Sequence, residues 1–284
     1  MNALARLAGF GVVLALVFAG AAFAGSVVDV HPGQPARTKA TTSGMTEMAG
    51  REPMAPQAVR GLAVSDKGLT LELARTTARP GEPFELAFRI VDRRGETVRR
   101  FDVEHTKRMH FIVVRRDMTG FQHLHPTERP DGTWTVPVAL RDAGAYRVFA
   151  DFSVDGKPHT LADDLTVDGT VRSRSLPAPA RTVDVDGLRV ALTEGAARAG
   201  AESELSFRVT RNGKPVAVAD YLGAKGHLVA LRQGDLAFLH VHPDERSLQF
   251  MSTFPTAGRY RMFLQFKTDD GRLHTAAFTQ EVTR

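Results

Sequence analysis

The 284-residue chain has no cysteine. Disulfides, thiolate-bound zinc, iron–sulfur clusters, blue-copper sites and cysteine nucleophiles are therefore excluded. No G-x-S-x-G, Walker A or dinucleotide-binding glycine pattern occurs either, which removes the common hydrolase and nucleotide-binding signatures. A large excess of one charge is also lacking. Lys and Arg number 37 against 32 Asp and Glu, a net +5 spread along the chain. With no dense basic stripe to follow phosphates, nucleic acid is not expected as a partner, and an anionic cell surface is the better neighbour. What the chain does have is ten histidines, which must carry any borderline-acid chemistry.

Long apolar runs are confined to the amino terminus. Residues 7–28 carry no charge and follow Arg6. Two readings fit them: a signal peptide cut after the small-x-small triplet Ala22-Phe23-Ala24, or a retained membrane anchor. The length of the uncharged stretch, enough to span a bilayer, favours the anchor. Either way the remainder is expected outside the cytoplasm. Residues 29–60 contain no aromatic, Leu or Ile and are rich in Pro, Gly, Thr and Ala, so they read as a disordered tether. Its Met45, Met48 and Met54 lack the repeated spacing of a thioether copper array, and a low-complexity linker accounts for them.

The rest is one module written twice. MHFIVVRRDMTGFQHLHP, beginning at Met109, aligns without a gap with GHLVALRQGDLAFLHVHP, beginning at Gly226. AGAYRVFADF from Ala143 likewise matches AGRYRMFLQF from Ala257. The modules span 61–169 and 183–284, joined by a Pro- and Arg-rich connector at 170–182. Short alternating apolar runs separated by turn dipeptides such as Asp131-Gly132 and Asn212-Gly213 predict seven or eight strands per module. The fold class expected is all-β, two tandem immunoglobulin-like antiparallel sandwiches. Alternation places Tyr146 with Val148, and Tyr260 with Met262, on one face, with Phe149 and Phe263 on the other.

Eight histidines occupy matched positions: His110 with His227, His123 with His240, His125 with His242, and His159 with His274. His31 and His105 have no counterpart. His123 and His125 are two apart and share a strand face. A hairpin around RRDMTG that pairs Val114 with Phe121 puts His110 opposite His125, with Cβ atoms roughly 4.5–5.5 Å apart. Three imidazoles then converge, a donor set suited to Zn(II) or Cu(II), and His227, His240 and His242 repeat it. Pro126 and Pro243 end the strand and place the site near a rim. His159 and His274 are candidate outer ligands. Glu128 and Glu245 could ligate the ion or brace a ligating imidazole, although solvation is the usual fate of such carboxylates.

Other readings use the same residues. Three satisfied histidines can brace loops without a metal, giving an adhesion or assembly module. H-x-H-x-x-E followed by G-x-x-H partly resembles the cupin metal motifs, but the Glu spacing, the Pro-x-Gly and the downstream Asn do not match. Three imidazoles with an open position could also activate water. No general base or substrate pocket accompanies them in the sequence, so no enzyme is expected.

On the two H-x-H-P segments, each followed by an AG-x-Y-R-x-F strand, the chain resembles a group of bacterial exported or membrane-anchored proteins with tandem H-x-H-P modules, common in actinobacteria. The resemblance runs from residue 61 to the carboxyl terminus and includes the anchor-then-linker layout. More loosely the module is similar to the small immunoglobulin-like exported domains of the YtkA and CopC type, which implies copper handling in the envelope. The amino-terminal His copper site of the CopC type has no clear equivalent here. The function expected is that of an extracytoplasmic, membrane-anchored protein binding Cu(II) or Zn(II) through a His cluster in each repeat.

Overall fold

The computed structural model describes residues 59–284 except Glu245, and for His240, His242 and Pro243 the backbone alone. The expectations for the first 58 residues, including His31 and the three linker methionines, and for Glu245 lie outside the described residues. Among the described residues no helix is long and apolar enough to cross a membrane. They fall in one compact unit built of strands.

The first module runs β1 (Ser65–Asp66), β2 (Leu69–Leu73), β3 (Thr77–Ala78), β4 (Phe84–Val91), β5 (His110–Arg115), β6 (Gln122–Leu124), β7 (Thr127–Glu128), β8 (Trp134–Val138), β9 (Gly144–Val154) and β10 (Lys157–Val167). One sheet has the order β1-β2-β4-β8-β7 and the other β3-β10-β9-β5-β6. The strands outnumber the seven or eight expected because β1, β3 and β7 are two-residue pairings. The second module repeats the plan with β11 (Thr182–Val185), β12 (Leu188–Glu194), β13 (Ala197–Arg198), β14 (Glu202–Arg211), β15 (Lys214–Pro215), β16 (Val218–Ala219), β17 (Gly226–Arg232), β18 (Phe238–His240), β19 (His242–Pro243), β20 (Gln249–Thr253), β21 (Gly258–Thr268) and β22 (Leu273–Thr283). Its sheets are β11-β12-β14-β20-β19 and β13-β22-β21-β17-β18, with β15 beside β14 and β16 beside β21. All these pairings are antiparallel except β3 with β10 and β13 with β22.

Each sandwich closes over its own core by period-two alternation. In β4 this buries Leu86, Phe88 and Ile90, and Phe88 stacks on Phe111 with centroids 4.7 Å apart. The second core gathers Val190, Leu205, Phe250, Met262, Phe266 and Phe278. Tyr146 donates to the Asp142 carbonyl at 2.8 Å, and Tyr260 to the Thr256 carbonyl at 3.0 Å. This is the tyrosine-corner device of immunoglobulin-like domains, a buried ring whose hydroxyl ties the turn before its strand.

A third core lies between the modules. Ile112, Val114, Phe149 and Ala162 pack with Val229, Leu231, Phe238 and Phe263. Phe149 and Phe263 thus sit on the face opposite Tyr146 and Tyr260, as alternation requires, and that face is covered by the other repeat. All six residues of β5 are buried for this reason. The contact is reciprocal. Phe121 stacks on Phe263 at 4.0 Å, and Phe238, the repeat counterpart of Phe121, meets Phe149, the counterpart of Phe263, at 5.4 Å. The segment before β1 is threaded between the modules. Phe238 donates its N–H to the Arg60 carbonyl at 2.9 Å, and Gly61 donates to the Thr160 carbonyl at 3.2 Å.

Two outcomes are expected in denaturant unfolding. Phe263→Ala should lose about 3 kcal/mol, the cost of emptying a buried aromatic site, and should split a shared transition into two. Gly61 has φ 68°, and a Cβ there would lie 2.8 Å from both the Phe149 ring and Phe238 Cβ, so Gly61→Ala should cost about 1–3 kcal/mol.

Candidate metal centre

The H-x-H-P segment is where the chain changes sheets. β6 pairs with β5 in one sheet and β7 with β8 in the other, so His125 and Pro126 form the crossing. Proline has no N–H to give a ladder, which suits it to this break. In the second repeat the break falls at Val241, and Pro243 is the last residue of β19. The β5–β6 register pairs Phe111 with Leu124, Ile112 with His123 and Val113 with Gln122. Its continuation sets His110 against His125, as the hairpin predicted. Val229 paired with His240 repeats the register in the second module.

One ring nitrogen each from His110, His123 and His125 lie within 4.8 Å of one another. The ring centroids are 5.3 Å apart for His110 and His123, 5.1 Å for His110 and His125, and 4.9 Å for His123 and His125. His110 is buried and the other two are half-buried. The site is therefore more enclosed than the rim expected from Pro126, because the sheet face carrying it is covered by the second repeat.

Hydrogen bonds to the far side of two rings fix their tautomers. His110 Nε2 lies 3.2 Å from the Glu104 carbonyl oxygen, which can only accept, so Nε2 carries the proton and Nδ1 is left with a lone pair. His123 Nδ1 lies 2.8 Å from Gln265 Oε1, an acceptor, so its lone pair is on Nε2. Those two nitrogens face each other at 3.1 Å. With both rings in these tautomers, each of the two nitrogens offers a lone pair to the space between them, a placement that a cation would stabilise. A proton is disfavoured: burial, with the neighbouring His110 and His125, holds the His123 imidazole well below its ordinary value. Two nitrogens each about 2.0–2.1 Å from one ion subtend about 100° at this separation, a normal angle between neighbouring ligands. His125 Nε2 is buried without a hydrogen-bond partner, which leaves a third donor uncommitted.

The second repeat borders the same place. His227 Nε2 donates to the Tyr221 carbonyl at 2.9 Å, repeating the His110–Glu104 contact. Its ring is 6.4 Å from His110, 6.2 Å from His123 and 5.4 Å from His105. A cavity of about 40 Å³ lined by Glu104, His105, His110, His123, Asp151 and His227 lies between the modules. Its size suits a few waters. His110 and His227 thus line one inter-module space. His240 and His242 stand in strands pairing with β17 and β20 respectively.

The outer candidates are not part of this group. His159 and Leu161 share a face of β10 that points into the first sandwich, where His159 stacks on Phe152 at 5.5 Å. His274 likewise faces the second core, stacked on Phe266 at 5.3 Å and bonded to Asp186 at 2.8 Å and Thr268 at 2.9 Å. Strand alternation, which takes the trio to the outer face of its sheet, takes these two inward. Glu128 makes an ion pair with Arg108 at 2.6 Å, and the guanidinium of Arg108 lies over the Trp134 ring.

Three residues of this space were not singled out from the sequence. His105 has no repeat partner to mark it. Asp151 and Gln265 hold matched positions in AGAYRVFADF and AGRYRMFLQF, each beside a repeat histidine: Asp151 pairs with His110 on β5 and Gln265 with His227 on β17. Polar residues inside otherwise apolar strands were the available signal.

The chain belongs to the family described as Domain of unknown function (DUF8832), whose model matches it twice, at 63–169 and 182–284. No curated protein matches it. Among solved structures it is similar to the Escherichia coli adhesin FdeC, at 16% identity over 78% of this chain and 66% of that one, with a TM-score of 0.28. It is also similar to the titin immunoglobulin tandem A164-A165, at 13% identity, 76% and 96% coverage and a TM-score of 0.21. The E. coli alpha-2-macroglobulin gives 14% identity, a TM-score of 0.26 and coverage of 79% of this chain and 14% of that one. The chain thus spans 66% of the adhesin chain and a small part of the macroglobulin.

Burial, with the neighbouring His110 and Lys107, holds His125 down at about 3, and burial holds His227 at about 4. In the unfolded chain these rings take up protons as pH falls through about 6.5, while the folded protein does not until far lower. Acid therefore favours unfolding. The metal-free protein should lose stability steadily between about pH 6.5 and 4, and His125→Gln should flatten that dependence in pH-resolved thermal melts.

Proposed function

We propose that this is an extracytoplasmic, membrane-anchored protein that binds Cu(II) or Zn(II) through His110, His123 and His125. The observation that carries the reading is the facing pair of lone-pair nitrogens on His110 and His123, 3.1 Å apart, each fixed by an acceptor on its other side. Metal-bound histidines are held in this way, with the distal N–H engaged by a carbonyl or side-chain oxygen. His125 Nε2 is buried without a hydrogen-bond partner, and an ion held by the trio would satisfy it. Nitrogen-only ligation suits both metals. His227, His240 and His242 are the counterpart donor set, so uptake of one or two ions per chain reports whether the second repeat also binds.

The uncharged segment at 7–28 supports the placement outside the cytoplasm. The small cavity favours holding an ion over catalysis on an organic substrate. The envelope metal handling implied by the family resemblance agrees with this role.

The test is metal uptake by the untagged chain, measured by mass spectrometry and by titration with Cu(II) and Zn(II). His123→Ala/His125→Ala removes two of the three donors. It should weaken binding by more than about 100-fold, since losing only a group that orients a ligand already costs 10–100-fold. Equal uptake by variant and wild type at micromolar metal would overturn the assignment.

A further inference from the structure

Gln265 belongs to the second repeat and lies 142 residues from His123, yet it is the group that decides which nitrogen of His123 faces the centre. It sits on β21, and its side chain is buried. Its amide is oriented from both ends: Nε2 donates to Thr275 Oγ1 at 3.2 Å while Oε1 accepts from His123 Nδ1–H. The same device stands in the first repeat. Asp151, at the position matching Gln265, accepts from Thr160 Oγ1 at 2.6 Å, and Thr160 matches Thr275. Each repeat thus presents a threonine-held oxygen-bearing side chain to the space between the modules.

We infer that Gln265 is a positioning residue contributed by the second repeat, which locks His123 as the Nδ1–H tautomer and so completes the metal centre of the first. This rests on the metal-binding function proposed above. If Gln265 could not accept, His123 would be free to carry its proton on Nε2, between the two facing nitrogens, and metal binding would first have to move it. Ion binding and docking of the repeats are then one linked equilibrium, because the oriented ligand exists only when β21 lies against the hairpin.

The experiment compares wild type, Gln265→Leu and Gln265→Glu in the untagged full chain. Gln265→Leu keeps the volume and removes the acceptor, and it should lower Zn(II) and Cu(II) affinity about 10–100-fold. Gln265→Glu keeps an oxygen acceptor and should restore it. Long-range nitrogen–proton NMR of histidine-labelled, metal-free protein should show the His123 proton on Nδ1 in the wild type and lose that preference in Gln265→Leu. His123 signals are assigned by their loss in His123→Ala. A structural role for Gln265 alone would move the melting temperature without changing the tautomer. Wild-type affinity in Gln265→Leu, or a His123 proton on Nε2 in the wild type, overturns the inference while leaving metal binding intact. Absence of any uptake by the wild type overturns the metal-binding function itself, and with it the role of Gln265.

Discussion

The packing of one repeat's outer sheet face against the other's is the contact on which the rest depends. An antiparallel sheet in a lone sandwich keeps one face wet, and its strands alternate accordingly. Here β5 is buried throughout and β17 nearly so, because Phe121 lies on Phe263 and Phe238 lies by Phe149 across the divide. The contact uses matched residues from both sides, so it is isologous in the sense used for two-fold dimers, within a single chain. Self-complementarity of this kind brings equivalent positions near the axis. The tight turns that precede β5 and β17 meet there, with the Cβ position of Gly223 3.6 Å from Thr106. His110 and His227 follow those turns, so their approach to 6.4 Å is a consequence of the packing.

Burial then sets the chemistry. Imidazoles removed from water resist protonation, and several together resist it more. Each must find its hydrogen bonds locally. The carbonyls of Glu104 and Tyr221 supply one acceptor apiece, both six residues before the histidine they serve and both in turns whose central residues have positive φ: His105 and Thr106 in one, Leu222 and Gly223 in the other. The left-handed pair is what points the carbonyl at the ring. Once the outer nitrogen is committed, the inner one can only accept. A hydrophobic contact between repeats has by these steps become a concentration of lone pairs in a small polar cavity.

How much of this was readable in the sequence follows from which physical rule controls each feature. The hairpin register and the shared face of His123 and His125 follow from a period of two, which one strand carries by itself, and both were predictable. So was the division of Tyr146 from Phe149. What covered the Phe149 face was not, since an apolar face looks the same whether it meets its own sandwich or a neighbour. His159 and His274 show the limit from the other side. Their repetition suggested ligands, but repetition also preserves a ring that stacks on Phe152 or Phe266. Gln265 was missed because its partner is in the other module, and no local spacing encodes a contact across that boundary.

The two halves of the interface have not stayed equal. His105 faces Leu222 as its counterpart, and Asp151 faces Gln265. A charged acceptor and a neutral one pull differently on the imidazole they meet: a carboxylate raises ligand basicity and favours the cationic ring, whereas an amide oxygen fixes the proton without adding charge. At His123 the acceptor is the amide oxygen of Gln265, which orients the ring without adding charge beside it. His123 of the first repeat therefore owes its tautomer to a residue of the second. A change at β21 that leaves each sandwich intact should then alter the tautomer of His123 in the other module more than the stability of its own.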